Sequence, residues 1–193
     1  MGRPRSTEAR DRAIEATLEL LGDVGVEGTT VEAIAATSGV AKSTIYRHFG
    51  DRESLMVEAV RTCIVQVPTP DSGSLAEDVA VILGRYDAPE NQRVNRLFPL
   101  LLDAARRDPD MHAAMADLVT ERQRPLRTVV QLAQLRGEVD PDLDIEYAMA
   151  ILIGPLTYRR LVAGHELTDD FLQAVQPAAV AALRSTASNP PAV

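Results

Sequence analysis

Residues 41–49 hold the side chains of this sequence that are best suited to contact an anion. Apart from Ala41, Ile45 and Phe49, every residue of this segment has a side chain that can donate a hydrogen bond. The segment contains no Asp or Glu. Other helical stretches of the chain mix acidic residues with their Arg residues. Donors without acids favour contact with a polyanion such as DNA, whose phosphates and base edges accept hydrogen bonds. The donors are Lys42, Ser43, Thr44, Tyr46, Arg47 and His48.

The hydrophobic pattern around this segment predicts a helix-turn-helix. Apolar residues at helical spacing predict a long first helix over about 6–24 and short helices over about 31–37 and 42–49. Ser38-Gly39 separates the two short helices. In such a unit the second short helix lies in the major groove of DNA. The apolar residues left to anchor that helix to its own module are Val40, Ile45 and Phe49.

Capping residues predict where the helices of this module begin. Thr29 precedes Glu32 by three residues, which is the spacing of a capping box, and Thr30 is an alternative cap. Asp51 is suited to cap a fourth helix. We expect this fourth helix to continue to about Val67 and to join the module to the rest of the chain.

Composition and charge do not by themselves indicate DNA binding. Hydrophobic residues make up 46% of the 193 residues and charged residues 25%, which is typical of a globular protein. The net charge is −8, and residues 1–61 contain eight Lys or Arg against ten Asp or Glu. Only local placement of charge could therefore form a DNA-binding surface. With no apolar run that could span a bilayer, no signal peptide and a single cysteine (Cys63), we expect a reduced, cytoplasmic protein.

The remainder of the chain also has a helical pattern. Residues 68–73 form the one internal stretch rich in Pro, Gly and Ser, which we interpret as a loop. Pro125, Pro155 and Pro177 each remove a backbone hydrogen bond, so we expect kinks in their helices, and Pro125 could divide its helix in two. The five further helices are expected at about 75–86, 93–106, 110–135, 143–163 and 168–185.

Several short motifs between residues 9 and 61 occur together in the N-terminal module. They are Gly25, Gly28-Thr29-Thr30-Val31, Ile34-Ala35, Gly39-Val40, Ser43-Thr44-Ile45-Tyr46-Arg47-His48-Phe49 and Gly50-Asp51-Arg52-Glu53-Ser54-Leu55. This run strongly resembles the tetracycline-repressor (TetR) family of bacterial regulators. Two positions depart from the family pattern. Ala41 stands where a capping Ser or Thr is usual, which weakens the first turn by up to about 1 kcal/mol, and Arg52 replaces a Lys but keeps its charge.

The chemistry of the matching side chains predicts which of them contact DNA phosphates. Lys42 and Arg52 are the cations expected to meet phosphates. Tyr46 has an apolar ring and a hydroxyl tip, which suits a phosphate contact, and a half-buried core position is the alternative. Thr29 and Thr30 lie at a helix N-terminus, where backbone amides can hold a phosphate. Simple capping is their alternative role, and both roles could hold at once.

The remaining donors of the second short helix are expected to read bases. Arg47 is the one best suited to the edge of a guanine. Arg3 and Arg5 form either an arm in the minor groove or a solvated tail, and the sequence does not decide between them. The base-reading candidates are Ser43, Thr44, Arg47 and His48.

The resemblance implies that the larger C-terminal part binds a ligand and forms a homodimer. Family dimers pair the last two helices of each subunit, here about 143–163 and 168–185. Residues 154–160 are similar to a recurrent C-terminal subgroup. The last helix has an apolar stripe, which a buried intrachain stripe would match equally well, and the resemblance favours the dimer interface. The stripe consists of Phe171, Leu172, Val175, Ala179, Ala182 and Leu183.

These observations predict an all-α protein in which a three-helix DNA-binding module precedes a larger helical domain. The helix-turn-helix domain is expected at 1–50 and a connecting helix and loop at 51–74. Ligand binding and dimerisation are expected at 75–186, followed by a disordered tail at 187–193.

An apolar small molecule is the expected effector, bound inside the C-terminal helices and releasing the DNA. Flexible Met and apolar side chains with few polar partners suit an adaptable pocket. The same residues would also form an ordinary packed core. The candidate ligand-binding residues are Phe98, Leu101, Leu102, Met115, Leu118 and Met149.

Two other classes of protein compete with a ligand-responsive regulator. The first is an all-helical enzyme or ligand carrier with an incidental helix-turn-helix, but residues 75–186 show no nucleophile motif, metal spacing or phosphate loop. We therefore expect no catalytic residue, no metal and no cofactor. The second is an architectural DNA binder without a ligand, which would leave this long stretch only a role in dimerisation. Repression rather than activation is expected from family frequency alone.

Overall fold

The described part of the protein is built entirely from helices. The computed structural model describes residues 5–65, 68–86 and 88–185, and no strand occurs among them. The predicted all-α fold is confirmed. Its helices are α1 (Arg5–Gly28), α2 (Val31–Ser38), α3 (Lys42–Phe49), α4 (Arg52–Arg61), α5 (Leu75–Gly84), α6 (Gln92–Ala105), α7 (Pro109–Arg136), α8 (Ile145–Thr157) and α9 (Asp169–Ser185). A 3-10 turn (Pro89–Asn91) precedes α6, and a π-helical turn (Tyr158–Val162) follows α8.

The chain packs as two compact units. The first unit combines Met1–Val65 with Glu90–Glu121, so α6 and the first part of α7 pack with α1–α4. The second combines Gln66–Pro89 with Arg122–Val193. This division by packing does not coincide with the expected boundary at residue 75, since residues 90–121 belong to the unit that contains the helix-turn-helix. The functional boundaries themselves stay a prediction.

The beginnings of the N-terminal helices follow from local hydrogen bonds. Backbone geometry at Gly25 (φ 73°) interrupts α1 directly after its expected end at about residue 24, although the helix resumes to Gly28. The Thr30 side chain caps α2 by accepting a hydrogen bond from the Ala33 N–H at 3.1 Å. Asp51 caps α4 in the same way through the Ser54 N–H at 2.7 Å. Thr30 rather than Thr29 is therefore the α2 cap.

The fourth helix is shorter than expected. It ends at Arg61 rather than near Val67. The Thr62 hydroxyl donates to the Ala59 carbonyl at 2.6 Å. The next two backbone amides, of Cys63 and Ile64, bond three residues back instead of four, which is the tightening that closes a helix. Residue 67 lies outside the described residues.

Prolines do not break the helices that contain them. The helix α7 runs through Pro125 without interruption over 28 residues, so the expected division does not occur. The helices α8 and α9 likewise contain Pro155 and Pro177. No helix in the described part of the chain is both long and apolar enough to cross a membrane.

Each unit has a hydrophobic core of its own. In the first unit, α6 contributes Val94, Leu97 and Leu101 to the same buried cluster as Leu18 of α1 and Met56 of α4. In the second unit, residues of α5, α7, α8 and α9 form a separate cluster. Most of the predicted α9 stripe lies in this second cluster: Leu172, Ala179 and Leu183 are buried, and Phe171 and Val175 pack against it. Leu172, Ala179 and Leu183 are thus intrachain core rather than interface residues, and the pairing of the last two helices in a dimer stays a prediction.

Candidate nucleic-acid interface

The helix α3 turns its donors outward and its apolar residues inward. It spans Lys42–Phe49 as predicted. Its anchors are confirmed, since Val40 and Ile45 are only 4% and 1% exposed and Phe49 packs against the core. Lys42, Ser43, Tyr46 and Arg47 are exposed, and Thr44 and His48 are partly buried. The Tyr46 side chain is 49% exposed, which removes the alternative that it is a core residue.

The ends of α3 have the backbone geometry of capped helix ends, but the first turn has no side-chain cap. Ala41 occupies the cap position in an extended conformation and makes no capping side-chain bond. At the other end, Gly50 adopts φ 83° and its N–H donates to the Tyr46 carbonyl. A positive φ of this kind favours glycine, which accounts for the Gly50 of the sequence motif.

The cations on this surface have different partners. The Lys42 ammonium donates to a carboxylate oxygen of Glu32 on α2. The hydrogen bond from Lys42 is the main reason that the pKa of the Glu32 carboxyl lies below its usual value. Arg47 has no ion-pair partner within the ranges that the structure describes. Arg52 is partly buried, and its Nε donates to a carboxylate oxygen of Glu53 at 2.7 Å.

The two threonines before α2 differ in accessibility. Thr29 is completely buried, and its hydroxyl donates to the Gly25 carbonyl at 2.7 Å. The predicted contact of Thr29 with DNA is therefore wrong, because a residue with no exposed surface cannot reach a phosphate. Thr30 is partly exposed and caps α2. Arg3 lies outside the described residues and Arg5 begins α1, so the predicted N-terminal arm keeps both of its interpretations.

Two residues that the sequence pattern did not assign to this surface, Arg10 and Glu32, support it. Arg10 of α1 forms an ion pair with Glu58 of α4, and its guanidinium carbon lies 5.8 Å from the centre of the Phe49 ring. Arg10 thus ties the last residue of α3 to α1 and α4. Glu32, considered only as a capping partner, instead pairs with Lys42. Neither contact has a signal in the sequence, because the partners lie on different helices.

The predicted ligand-binding residues do not form one group. Met149 belongs to the core of the second unit. The other five belong to the core of the first unit, where they are fully or partly buried: Phe98, Leu101, Leu102, Met115 and Leu118. A cavity of about 580 Å³ lies between α5 and α9 in the second unit, and none of the six lines it. The six residues therefore belong to two separate cores, and their role in ligand binding stays a prediction.

The fold and this surface define a helical protein with a DNA-binding helix-turn-helix in its first unit. Residues 13–59 match the family model of bacterial regulatory proteins of the tetR family, and residues 69–179 match that of the tetracyclin repressor-like C-terminal domain. The chain belongs to the TetR family, as its motifs predicted. It is a DNA-binding transcriptional regulator and not an enzyme, because the matched families and relatives are transcriptional regulators.

The similarity to other proteins extends over nearly the whole chain. The HTH-type transcriptional regulator YdeS of Bacillus subtilis is 25% identical over 174 residues, which cover 89% of this chain and 88% of that protein. The crystal structure of the TetR family regulator SCO0332 has a TM-score of 0.64 and 25% identity, covering 90% of this chain and 97% of the other. The multidrug binding protein EbrR, complexed with ethidium, has a TM-score of 0.58 and 21% identity, with coverages of 92% and 99%.

Proposed function

We propose that the protein is a repressor that inserts α3 into the major groove of a palindromic operator as a homodimer. The observation that carries this proposal is the exposed face of α3, which presents donors and no acid of its own. Acceptors dominate both the phosphate backbone and the major-groove edge of guanine. Burial of Ile45 on the opposite side keeps this face turned away from the core of the module.

The donors divide by the kind of contact that they make. Lys42, Tyr46 and Arg52 bind phosphates, and the α2 N-terminus capped by Thr30 adds backbone amides. Base edges are read by the four other donors, Ser43, Thr44, Arg47 and His48. Arg47 has the greatest reach and can donate two parallel hydrogen bonds to one guanine. Thr29 has no part in this set, because it is buried.

Selection of sequences from a random duplex pool by the protein, followed by footprinting, tests this function. We expect a pseudo-palindromic site with two half-sites protected on one face of the duplex. Binding to a single unrepeated half-site by a monomer at full affinity would contradict the dimeric proposal. An absence of any sequence preference would instead favour the architectural class of DNA binder.

Exposed apolar residues of α8 and its following turn support dimerisation. Tyr147, Tyr158 and Leu161 are 38%, 63% and 49% exposed. Tyr147, Gly154 and Tyr158 have the spacing of one α-helical stripe, and Leu161 follows them in the π-helical turn. The exposed side of α9 carries small residues, which allow a second helix to approach closely. They are Ala174, Pro177, Ala178 and Ala181. These faces, rather than the buried α9 stripe, are the proposed contacts of the last two helices.

Effector control rests on the packing of α6 against the DNA-binding helices. The Arg93 guanidinium of α6 lies 2.6 Å from a carboxylate oxygen of Glu15 on α1, and Leu97 of α6 packs in the α1–α4 core. A ligand that enters beside Leu101 and Met115 would therefore displace elements that hold α1 and α4. Release of DNA requires that the ligand bind the displaced conformation more tightly, because only differential affinity shifts an equilibrium.

Ethidium is a suitable probe of this control, because the similar protein EbrR was crystallised with it. We expect an apolar cation or a neutral apolar compound to raise the melting temperature and to weaken operator binding. Met115→Trp should occupy the volume that such a ligand would take and remove both effects. If a panel of hydrophobic compounds changes neither quantity, ligand control is to be abandoned while DNA binding stands.

A further inference from the structure

Lys42 is the only lysine among the 193 residues, and the protein itself supplies a counterion for it. Its ammonium bonds to Glu32, which lies ten residues earlier on the other short helix of the helix-turn-helix. The Lys42 and Glu32 side chains are 50% and 67% exposed, so the pair lies at the surface from which α3 presents its donors. Glu32 thus places a carboxylate beside a cation that faces DNA in the proposed function.

We infer that Glu32 sets the DNA affinity of this regulator by competing with backbone phosphate for the Lys42 ammonium. The inference rests on the proposed placement of α3 against DNA. An ammonium that bonds a carboxylate cannot give its full charge to a phosphate. If Lys42 leaves Glu32 to bind a phosphate, an unpaired carboxylate remains close to a polyanion. In either case Glu32 weakens binding to DNA of every sequence.

The effect of Glu32 falls on DNA binding rather than on folding. Exposed ion pairs contribute little to the stability of a folded protein. Glu32 is charged at neutral pH, as any exposed glutamate is, and the hydrogen bond from Lys42 lowers the pKa of its carboxyl further. The module has no excess of positive charge to offset one carboxylate, because residues 1–61 contain more acidic than basic residues. One acidic side chain at the binding face should therefore change the affinity for DNA measurably.

The variant Glu32→Gln tests the inference on a random-sequence duplex of 24 base pairs, with no need to know the operator. We expect binding at low salt to tighten by roughly 3- to 10-fold, the size of one charge interaction at a protein surface. We also expect the salt dependence to become steeper by up to about one released counterion. Fluorescence anisotropy over a salt series measures both quantities, and the melting temperature checks folding.

Three further variants separate this mechanism from a general loss of negative charge. Glu19→Gln removes the same charge from an exposed position on α1, and we expect a smaller gain than from Glu32→Gln. Lys42→Ala should weaken binding, and Glu32→Gln should bring a smaller gain in that background than in the wild type, because only the repulsion between Glu32 and phosphate is then left to remove. An equal gain from Glu19→Gln, or a full gain in the Lys42→Ala background, overturns the inference. If Lys42→Ala binds as well as the wild type, the proposed role of Lys42 fails, and the inference fails with it.

The single lysine also permits a direct spectroscopic test. Lysine labelled with ¹³C at Cε gives one side-chain signal, which belongs to Lys42. Glu32→Gln should shift this signal in the free protein, and addition of the duplex should shift it in the wild type as the ammonium exchanges partners. A signal that is unaffected by Glu32→Gln would mean that no pair forms in solution, which overturns the inference even where DNA binding is intact.

Discussion

The two cations of α3 differ in their surroundings and should differ in what they contribute to DNA binding. Lys42→Ala removes a phosphate contact, so it should weaken binding to operator and random DNA alike and lower the salt slope by about one. Arg47→Ala should relax the preference at one base position and cost roughly 1–3 kcal/mol on the operator. Titration of both duplexes at several salt concentrations measures the two effects.

A matched control for these variants lies on the exposed surface of α7. Arg124→Ala removes one positive charge from an exposed position in the second unit, and we expect both duplexes to bind as they do to the wild type. The assignment of Arg47 to base reading is wrong if Arg47→Ala leaves the ratio of operator to random affinity unchanged.

Residue types predicted the donors of α3 but not the partners of those donors. The alternation of polar and apolar residues in one short helix fixes which side chains point outward, so Lys42 and Arg47 were found correctly as exposed. Burial of Thr29 depends on how α1 and α2 meet, and the Lys42–Glu32 pair depends on the crossing of α2 and α3. Such contacts between helices have no local signal in the sequence.

The uncapped first turn of α3 makes Ala41 a site for stabilisation. Its extended backbone (φ −60°, ψ 138°) is the conformation in which a serine side chain accepts a hydrogen bond from the first turn. Ala41→Ser should therefore raise the free energy of unfolding by about 0.5–1 kcal/mol. Thermal or urea unfolding measures this gain.

The cap of α2 provides the reverse experiment. Thr30→Ala removes an existing bond to the Ala33 N–H and should destabilise by about 1 kcal/mol. If Thr30→Ala destabilises as expected and Ala41→Ser brings no gain, the missing cap at α3 has no energetic consequence and the prediction for Ala41 is wrong.

Glu138 joins three elements of the second unit. Its carboxylate accepts the Leu75 N–H at the start of α5 at 2.9 Å, together with hydrogen bonds from Arg136 of α7 and Arg184 of α9. Burial acts to raise the pKa of this carboxyl, but these donors outweigh it, and the pKa lies below its ordinary value. Arg136 also lies 3.7 Å from the fully buried carboxylate of Asp78.

The lowered pKa of Glu138 makes its contribution to stability depend on pH. A carboxyl whose pKa is depressed in the folded state stabilises the protein above its unfolded pKa, and this contribution is lost as the pH falls through the folded pKa. Glu138→Gln should therefore cost about 1–3 kcal/mol at neutral pH and progressively less in acid. Urea unfolding at a series of pH values measures the difference, with Glu166→Gln, at an exposed loop position, as the control. A pH-independent cost would contradict this linkage.

At the level of elements, periodicity predicted the existence of the helices better than their ends and contacts. The predicted α3 bounds agree with the structure because Gly39 ends α2 shortly before α3 begins and Gly50 ends α3 itself. The predicted end of α4 is wrong because the apolar pattern continues beyond Arg61, whereas the turn at Thr62 closes the helix. An apolar stripe is the same in sequence whether its own chain or a second chain covers it, so the sequence does not show that the α9 stripe packs largely within its own chain.

For the whole molecule, the grouping of α6 with the DNA-binding helices changes where an effector would act. The sequence placed the helix-turn-helix and the ligand-binding residues in separate domains. In the structure, Leu101 and Met115 share one core with α1 and α4. A ligand among these residues would thus need no long-range relay to reach the DNA-binding module, since it would perturb the core on which that module is built. Met149 lies outside this core and is not expected to matter for such a ligand.

Dimerisation is the prediction that concerns the whole molecule most directly. The chain offers two exposed leucines for a matched test: Leu161, 49% exposed in the turn after α8, and Leu135, 84% exposed on α7. Leu161→Glu would bury an unpaired carboxylate at the proposed interface in each subunit, which costs several kcal/mol. We expect the dimer dissociation constant to rise by at least about 100-fold, equivalent to about 2.7 kcal/mol. Leu135→Glu makes the same chemical change outside the proposed interface and should leave the dimer intact.

Sedimentation equilibrium and operator titration together measure the consequence for DNA. Two recognition helices must lie roughly 34–36 Å apart to enter successive major grooves, and only a dimer can hold both. Leu161→Glu should therefore lose the operator affinity that depends on two half-sites while keeping weak binding to each half-site, because α3 itself is unchanged. If Leu161→Glu remains a dimer at micromolar concentration, or if the monomer binds the full operator as tightly as the wild type, the last two helices do not form the interface on which DNA binding depends.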